Sequence, residues 1–359
     1  MAAFTGQLRS NEIFSALYNM IISQEVFADN LGKHQTLVDK ARVDGGLYGD
    51  TKLYYSTDVL KSAPWGNDAE AANLLALHRP EAPEIQAIHL DIFRQICLTV
   101  DNYLSKRAWS TEGAFSSFNS VMLGWMRETK RVYDGTLYNV FIGTTKAAGE
   151  GQTISVDLAS ATSLTGVEKE QMEAMLIAQS LADLMVAMGD YSRDFNDYGN
   201  LRSYAEDGIK VIWNSKFVNK IRKIDLPTIF HKDGLMDKFE EEVLPERYFG
   251  DIQTAGHTSV AGERSVVEKD YTVSGKITHV FPGDLIPVGA TVAANESYKA
   301  PAKDVICKVL VKLPPYMSAF EVGTSFFNPK SLTENHYLTF GHNTIEYLKN
   351  YPFITVQVK

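Results

Sequence analysis

The architecture depends on one stretch of sequence: Ile88-His89-Leu90-Asp91-Ile92-Phe93-Arg94-Gln95-Ile96-Cys97-Leu98-Thr99-Val100. Its even-numbered positions are apolar except for Arg94, and this alternation predicts a β-strand. At about 3.3 Å per residue the strand would extend over roughly 43 Å, twice the usual length. A shorter alternation over Thr51–Val59 predicts its partner strand. Together the two stretches predict a long two-stranded β arm.

The tip of this arm is predicted to associate with another molecule. It contains Pro64-Trp65-Gly66 and a short helix that begins near Asn67. A two-stranded arm is at best marginally stable alone in water, and apolar side chains at its tip would be exposed in a monomer. We therefore predict that the arm lies on another subunit and that this contact includes Trp65, Leu74, Leu75, Leu77 and Arg79. The alternative is that both strands belong to a larger sheet of the same domain.

Helical periodicity dominates the residues on either side of the arm. Before it, Asn11–Asn30 has one broad apolar face and is predicted to form an amphipathic helix. After it, apolar residues repeat every three or four positions from Thr111 to Ile142. An unbroken helix there would be roughly 48 Å long at about 1.5 Å per residue, which indicates a structural spine. Its aromatic stripe is predicted to pack on a sheet rather than to bind a cofactor.

The rest of the chain alternates helix and strand, which is typical of a compact α/β domain. Thr165-Gly166-Val167-Glu168 matches a capping box before a helix over Glu168–Met188. A short helix is predicted at Lys232–Val243, with Glu240-Glu241-Glu242 on its solvated face. The other predicted elements are a strand at Ile209–Trp213, a short helix at Phe217–Ile224, a hairpin turning at Ser274-Gly275, and strands at Val305–Leu313 and Phe353–Val358.

Composition limits the classes of function. The 359 residues carry a net charge of −9, which argues against an extended basic face for nucleic acid. The two cysteines, Cys97 and Cys307, each lie in a hydrophobic alternation typical of a buried thiol, so neither a disulfide framework nor a Cys-based zinc site is expected. Met1–Ser10 lacks the pattern of a signal peptide, and no run approaches the roughly 18 apolar residues of a membrane span. We expect a soluble intracellular protein with no membrane contact.

No motif for catalysis or cofactor binding is found. The sequence has no P-loop, no Gly-x-Gly-x-x-Gly after a strand, no His-Glu-x-x-His and no Gly-x-Ser-x-Gly. An EF-hand that began at Asp194 would place Tyr198 and Ala205 at ligand positions, so the polar residues there are predicted to form a turn. We predict no catalytic residue, no metal site and no cofactor, and a protein that is not an enzyme.

Several stretches resemble the major capsid proteins of tailed bacteriophages, most of all those of short-tailed phages. They are Leu98–Trp109, Phe118–Trp125, Asn139–Thr144 and Gly208–Asn214. The order of elements is also similar to that of the Hong-Kong-97-type capsid fold. The resemblance implies an α+β chain with an N-terminal arm, an extended β-hairpin loop, a long spine helix with a peripheral sheet, and an axial α/β domain.

This fold implies a division of the chain into five regions. The N-terminal arm with its amphipathic helix covers 1–43, and the extended β loop with the start of the peripheral domain covers 44–104. The spine helix lies in 105–150. The axial domain covers 151–300, and its part from 228 to 300 either belongs to that domain or forms an insertion. The C-terminal strands lie in 301–359.

The function implied by the resemblance is that of a structural protein of the virion. It would self-assemble as pentamers and hexamers, first as a viral procapsid, into an icosahedral capsid around packaged double-stranded DNA that it does not read sequence-specifically. Scaffolding and portal proteins would be further partners, and assembly would occur in the host cytoplasm. Two alternatives stay open: a cellular nanocompartment shell of the same fold, and a soluble α/β hydrolase or lyase with an unrecognised site in a deep pocket.

Overall fold

The computed structural model describes residues 36–44, 51–62, 77, 79–101, 112–145, 152–218, 240–301 and 304–359. Its helices are α1 (Thr36–Ala41), α2 (Glu112–Ile142) and α3 (Gly166–Gly189), with 3₁₀ turns at Ala159–Ala161, Glu206–Gly208 and Glu246–Tyr248. Its first strands are β1 (Arg42–Asp44), β2 (Thr51–Ser56), β3 (Glu84–Asp101), β4 (Thr144–Thr145), β5 (Gln152–Val156), β6 (Lys210–Asn214), β7 (Glu240–Leu244), β8 (Gly250–Thr254) and β9 (His257–Thr258). The others are β10 (Arg264–Ser265), β11 (Lys269–Val273), β12 (Lys276–Val280), β13 (Thr291–Val292), β14 (Ser297–Pro301), β15 (Val305–Leu310), β16 (Tyr316–Asn328), β17 (Thr333–Asn343) and β18 (Phe353–Val358).

Some predicted elements lie outside the described residues. These are the helices at Asn11–Asn30 and near Asn67, the part of Phe217–Ile224 after residue 218, and the part of Lys232–Val243 before residue 240. The chain forms two compact units. The first unit contains the described parts of Met1–Asp50, Leu90–Tyr138 and Tyr316–Thr344, and the second contains those of Thr51–His89, Asn139–Pro315 and Ile345–Lys359.

In the first unit, a β-sheet packs against the spine helix α2. The strands follow the order β1-β16-β17-β3, with β1 parallel to β16 and the other neighbours antiparallel. Arg94 on β3 lies opposite Phe340 on β17, and both side chains contact Tyr133 of α2. The Arg94 guanidinium carbon is 4.8 Å from the Tyr133 ring centroid, and the Phe340 ring meets that ring edge-on at 5.8 Å. The even-numbered face of β3 therefore faces the helix, as its apolar residues require.

A buried charge cluster ties α2 to this sheet. Asp134 of α2 is 1% exposed, and its carboxylate accepts hydrogen bonds from the Tyr316 hydroxyl at 2.6 Å and from Lys130 Nζ at 3.1 Å. Arg42 of β1 places a guanidinium nitrogen 3.6 Å from the same carboxylate. A buried carboxylate without partners is costly, and removal of one partner of a buried ion pair costs on the order of 3–5 kcal/mol. Because Asp134 needs its partners from β1 and β16, these contacts fix β1, α2 and β16 in one arrangement.

The second unit is built on a sheet with the order β5-β18-β15-β6-β7. β15 lies at its centre and is antiparallel to both neighbours, and all six of its residues are buried. α3 contributes one face to the core of this unit, and the buried residues on that face are Ala174, Ile177, Leu181, Leu184, Met185 and Met188. A strand that is buried along its whole length, as β15 is, is expected when both faces of a sheet are covered.

An inserted β module lies between two strands of this sheet. Residues Gly250–Pro301, which we call the β module, follow β7 in the chain and precede β15. Within the module β8 pairs with β14, β14 with β10, β11 with β12, and β9 with β13. It has its own hydrophobic core of Tyr271, Val280, Ile286, Ala290, Val292 and Tyr298. The predicted hairpin at Ser274-Gly275 is confirmed, and both residues have positive φ, as a tight turn of this type requires.

The long strand is confirmed, but its partners differ from those predicted. β3 covers 18 residues, of which Glu84–His89 pairs with β2 and Leu90–Asp101 pairs with β17 of the same chain. The prediction that the whole stretch protrudes as an arm is therefore wrong. The alternative of a larger sheet of the same chain holds for the longer part. Alternation shows which residues share a face, but it does not identify the partner strand. The sequence pattern alone therefore cannot distinguish a protruding arm from a strand of a larger sheet.

Two other expectations need correction. Glu240-Glu241-Glu242 lies in strand β7 rather than in a helix, because β7 pairs in parallel with β6. In that pairing Lys210 donates to Glu240, and Trp213 Nε1 donates to Glu241 at 3.1 Å, so tertiary contacts override the helix propensity of glutamate. Cys97 is exposed because it lies on the odd-numbered face of β3, whereas Cys307 is buried as predicted.

The two long helices are confirmed within one or two residues. α2 matches the predicted spine helix, and α3 begins at Gly166 after the extended residue Thr165. The Thr165 side chain makes no capping hydrogen bond, so the capping box predicts the position of the helix start and not its bonding. By length and composition α3 is apolar enough to cross a membrane, a test that the core helix of a globular domain also passes.

Candidate assembly surface

β2 and the first part of β3 form a short antiparallel ribbon. We use this name for Thr51–Ser56 together with Glu84–His89. Leu53 lies opposite Ala87, and Tyr55 lies opposite Ile85. Because residues directly opposite each other share a face, these four side chains form the apolar part of the outer face of the ribbon, beside the polar pair Thr51 and His89. The inner face contains the alternating residues between them.

Polar side chains hold the inner face of the ribbon to the rest of the second unit. Ser56 Oγ donates to Asn350 Oδ1 at 2.6 Å and accepts a hydrogen bond from Asn200 Nδ2 at 2.7 Å. Gln86 bonds through both ends of its amide to the backbone of residues 347–349, at 3.0 Å each. Ser56, Gln86 and Asn200 are all less than 8% exposed. We call Ser56, Gln86, Asn200 and Asn350 the polar clasp, whose hydrogen bonds contribute about 1 kcal/mol each to the stability of the docked ribbon.

Asp58 extends this attachment just beyond the end of β2. Its Oδ1 accepts a hydrogen bond from the Leu201 backbone N–H at 2.9 Å, and its Oδ2 accepts one from Arg193 Nη1 at 2.6 Å. These two hydrogen bonds, the backbone one first, lower the pKa of Asp58 to about 2. The carboxylate is therefore ionised at neutral pH and joins the end of β2 to residues 193–201.

The outer face of the ribbon is apolar and open to solvent. Leu53 is 49% exposed, Tyr55 is 62% exposed and Ile85 is 53% exposed. The chain beyond the ribbon continues this character, with Val59 and Leu60 also more than half exposed. An exposed apolar grouping of this kind is typical of a protein-protein contact.

The contact residues predicted from the sequence fall between β2 and β3 in the chain. Leu77 is 80% exposed, and Arg79 is also exposed, in agreement with a position at the surface. Trp65, Leu74 and Leu75 lie outside the described residues. Their proposed contact with another subunit stays a prediction. The outer-face residues were not singled out from the sequence, although Leu53 and Tyr55 stand at odd positions of the alternation that predicted β2.

The described residues contain no arrangement that suggests metal binding. Among them, no group of three or more His, Cys, Asp and Glu side chains could hold a metal ion. The polar stretch after α3 forms a turn: the Asn196 side chain accepts a hydrogen bond from Asn200 N and donates one to Asn200 O. This role agrees with the turn predicted there in place of an EF-hand.

Two buried lysines bond to the C-terminal end of α2, a feature that sequence reasoning missed. Lys299 Nζ donates to the carbonyls of Val140, at 2.6 Å, and of Tyr248, while Lys308 Nζ donates to the Thr144 carbonyl. Val140 lies in the last turn of α2, where carbonyls lack donors within the helix and where the helix dipole favours a cation. Complete burial moves the pKa of Lys299 well below its ordinary value. No sequence signal marks these residues, since lysine in a strand is usually solvent-exposed.

Comparison with known proteins identifies the fold. No protein-family model matches the sequence, and no curated protein matches it. The capsid structure of Staphylococcus phage Andhra is similar to 91% of this chain and 84% of its own, with a TM-score of 0.53 and 10% identity. The chain has the capsid fold of tailed bacteriophages, the Hong-Kong-97 type.

A second solved structure supports the same fold. The structure of the head fibre and inner core protein gp22 of native bacteriophage P68 matches 88% of this chain and 82% of its own, with a TM-score of 0.56 and 12% identity. The α+β fold class predicted from the sequence is confirmed, and neither the nanocompartment nor the hydrolase alternative is favoured.

Proposed function

We propose that this chain is the major capsid protein of a tailed bacteriophage, a structural subunit that builds the shell. The observation that carries this proposal is a fold shared along about nine-tenths of the chain with a structure described as a phage capsid. A structural rather than enzymatic role is supported by the same fold.

We extend the proposal to the finer assembly that this type of fold implies. Copies would form pentamers and hexamers that close into an icosahedral shell around double-stranded DNA, as part of the virion assembled in the host cytoplasm. Scaffolding and portal proteins would take part in that assembly. The net charge of −9 supports a wall that encloses DNA without binding it tightly, because tight binding of phosphates requires clustered Lys and Arg.

The outer face of the ribbon is proposed to be one of the contacts between subunits. The polar clasp fixes the inner face, so the apolar outer face is presented in a defined orientation and little conformational entropy is lost when a neighbour covers it. Leu77 and Arg79 lie between the two ribbon strands in the chain and are exposed, and they are proposed to extend the same contact. In a closed shell each contact can be weak, since many copies act together.

Sedimentation and negative-stain electron microscopy of the purified chain test the proposed function. Rings or closed particles are the expected result at micromolar protein concentration. A single monomeric species under a range of salt and protein concentrations would contradict the proposal, and so would a discrete small oligomer that turns over a substrate.

A further inference from the structure

Two histidines of the β module have hydrogen-bond acceptors at both ring nitrogens. His279 on β12 lies opposite Asp270 on β11. Its Nδ1 is 2.6 Å from Asp270 Oδ1, and its Nε2 is 3.0 Å from Glu268 Oε1. The imidazole ring therefore bridges two carboxylates.

His257 on β9 has a similar environment in a more buried place. Its Nε2 lies 2.8 and 2.9 Å from the two carboxylate oxygens of Glu263, and its Nδ1 lies 3.2 Å from the Ala255 carbonyl. Glu263 is only 6% exposed and also accepts a hydrogen bond from the Val260 backbone N–H at 3.1 Å. The Glu263 carboxylate thus joins the turn at 260–263 to β9.

This geometry fits the imidazolium form of both side chains. A neutral imidazole has one N–H and can donate to one acceptor only, whereas an imidazolium donates from both nitrogens. Ionised carboxylates and carbonyls cannot supply the missing proton. Loss of a proton from either ring therefore leaves one acceptor without its hydrogen bond and removes an ion pair.

The groups that face the two rings favour a positive charge. Asp270 and Glu268 face His279, and the Phe281 ring meets it edge-on at 5.1 Å between centroids. Glu263 faces His257, whose ring lies 4.2 Å from the Tyr298 ring of β14, centroid to centroid. An imidazolium is also attracted by an aromatic face, and the Tyr298 ring offers one to His257.

The direction of both titrations follows from these contacts. The hydrogen bond to Glu263 raises the pKa of His257 above its usual value and outweighs the effect of burial. Burial by itself lowers the pKa of His279, but the hydrogen bonds and charges of Asp270 and Glu268 outweigh it, so that this pKa is also raised.

We propose that the β module is a proton-controlled element, whose folded form holds protons on His257 and His279 and loosens when these protons leave. A group whose pKa is higher in the folded state stabilises that state fully below its unfolded pKa, near 6.5 for histidine, and this contribution is lost as pH rises through the folded pKa. The segments affected are the turn at 260–263 and the strand pair β11–β12. The inference does not depend on the proposed shell function.

Hydrogen–deuterium exchange of the full chain between pH 6 and 9 tests this inference. After correction for the intrinsic pH dependence of exchange, protection of peptides that cover 257–263 and 268–280 is expected to fall with rising pH, by up to about tenfold for each unit by which the folded pKa is raised. A peptide that covers the central strand β15 serves as the internal reference. Wild-type protection that does not change with pH would overturn the inference.

Matched variants separate the two histidines. His257→Gln and His279→Gln should each remove the pH dependence in its own segment, while His89→Gln in the ribbon should leave both segments as in wild type. If a glutamine variant unfolds the module, Glu263→Gln and Asp270→Asn are the alternatives, because each keeps a hydrogen-bond acceptor and removes the negative charge. They too should remove the pH dependence of exchange protection in their segments. An unchanged pH dependence in these variants would assign the effect to other groups and overturn the inference.

Discussion

The two parts of strand β3 bury different kinds of side chain. In Leu90–Asp101 the even-numbered face packs on α2, and the exposed face carries Phe93, Gln95, Cys97 and Thr99, of which Gln95 and Thr99 bond to polar residues of β17. In the ribbon, Gln86 and Ser56 are buried and the exposed face carries Leu53, Tyr55 and Ile85. The interior is therefore mainly apolar along the longer part of β3, whereas in the ribbon it holds the amide of Gln86 and the hydroxyl of Ser56 beside Ile88, and three apolar side chains are left at the surface.

This contrast separates the side chains that stabilise the fold from the exposed side chains that a partner could cover. The longer part of β3 follows the rule that apolar side chains pack inside, and its stability comes from burial against a helix. The ribbon departs from this rule: apart from buried Ile88, its own chain holds it through hydrogen bonds and leaves Leu53, Tyr55 and Ile85 in water. A surface that costs solvation energy in the monomer is expected to be covered in the assembled protein.

The largest effect is expected from breaking the helix that covers the longer part of β3. Met122 lies in the interior of α2, and Met122→Pro would remove a backbone hydrogen bond and clash with the preceding turn, at a cost of about 3 kcal/mol or more. Most of the protein should then appear in the insoluble fraction, whereas Met122→Leu should stay soluble. A soluble Met122→Pro protein with the wild-type urea midpoint would contradict the role of α2 as a structural spine.

A smaller loss of stability is expected from opening the polar clasp. Ser56→Ala removes the hydroxyl that bonds Asn200 and Asn350, and buried Asn200 loses a partner, at a cost of about 1–3 kcal/mol. Urea unfolding should detect a lower free energy of unfolding for Ser56→Ala. Thr57→Ala, at the exposed neighbouring position, should remain within about 0.5 kcal/mol of wild type. Equal values for both variants would mean that the ribbon is not held by these hydrogen bonds.

Charge on the outer face should affect assembly rather than folding. Leu53→Lys places an ammonium group at a half-exposed position, so its free energy of unfolding should stay within about 0.5 kcal/mol of wild type. A charge buried between subunits is costly, and electron microscopy should therefore find few particles. Leu53→Met keeps the face apolar and should assemble normally. Wild-type particle yield from Leu53→Lys would exclude this face as a subunit contact.

The periodic elements could be predicted from the sequence, and their partners could not. The alternation and the helical spacing located β3, β18, α2 and α3, because such patterns are local. The polar clasp joins Ser56 to residues 144 and 294 positions away, and no local pattern reports such a pairing.

The same limit applies to the exposed face of β2. Alternation places Leu53 and Tyr55 together, but only the docking of Ser56 shows that this apolar face points to solvent. Lys299 and Lys308 were missed for a related reason, since each bonds to a backbone carbonyl at or just after the end of α2, 159 and 164 residues earlier in the chain.

The smallest effect is expected from the attachment at Asp58, and it depends on pH. The folded-state pKa of Asp58 is lowered to about 2, so its stabilising contribution is present above the ordinary value near 3.8 and is lost as pH falls through about 2. Asp58→Asn keeps an acceptor for Leu201 N but removes the charge that attracts Arg193. Because the Arg193 side chain is half exposed, solvent screens this pair and the effect on stability should be small.

Urea unfolding of Asp58→Asn at several pH values tests this expectation. The urea midpoint of the variant should lie below that of wild type at pH 7, and the difference should shrink as pH falls from 4 towards 2. Asp183→Asn removes an exposed carboxylate of α3 and serves as the control, for which no such convergence is expected. A difference between Asp58→Asn and wild type that stays constant down to pH 2 would mean that the carboxylate charge does not help to hold the end of β2, and that the polar clasp alone orients the apolar face.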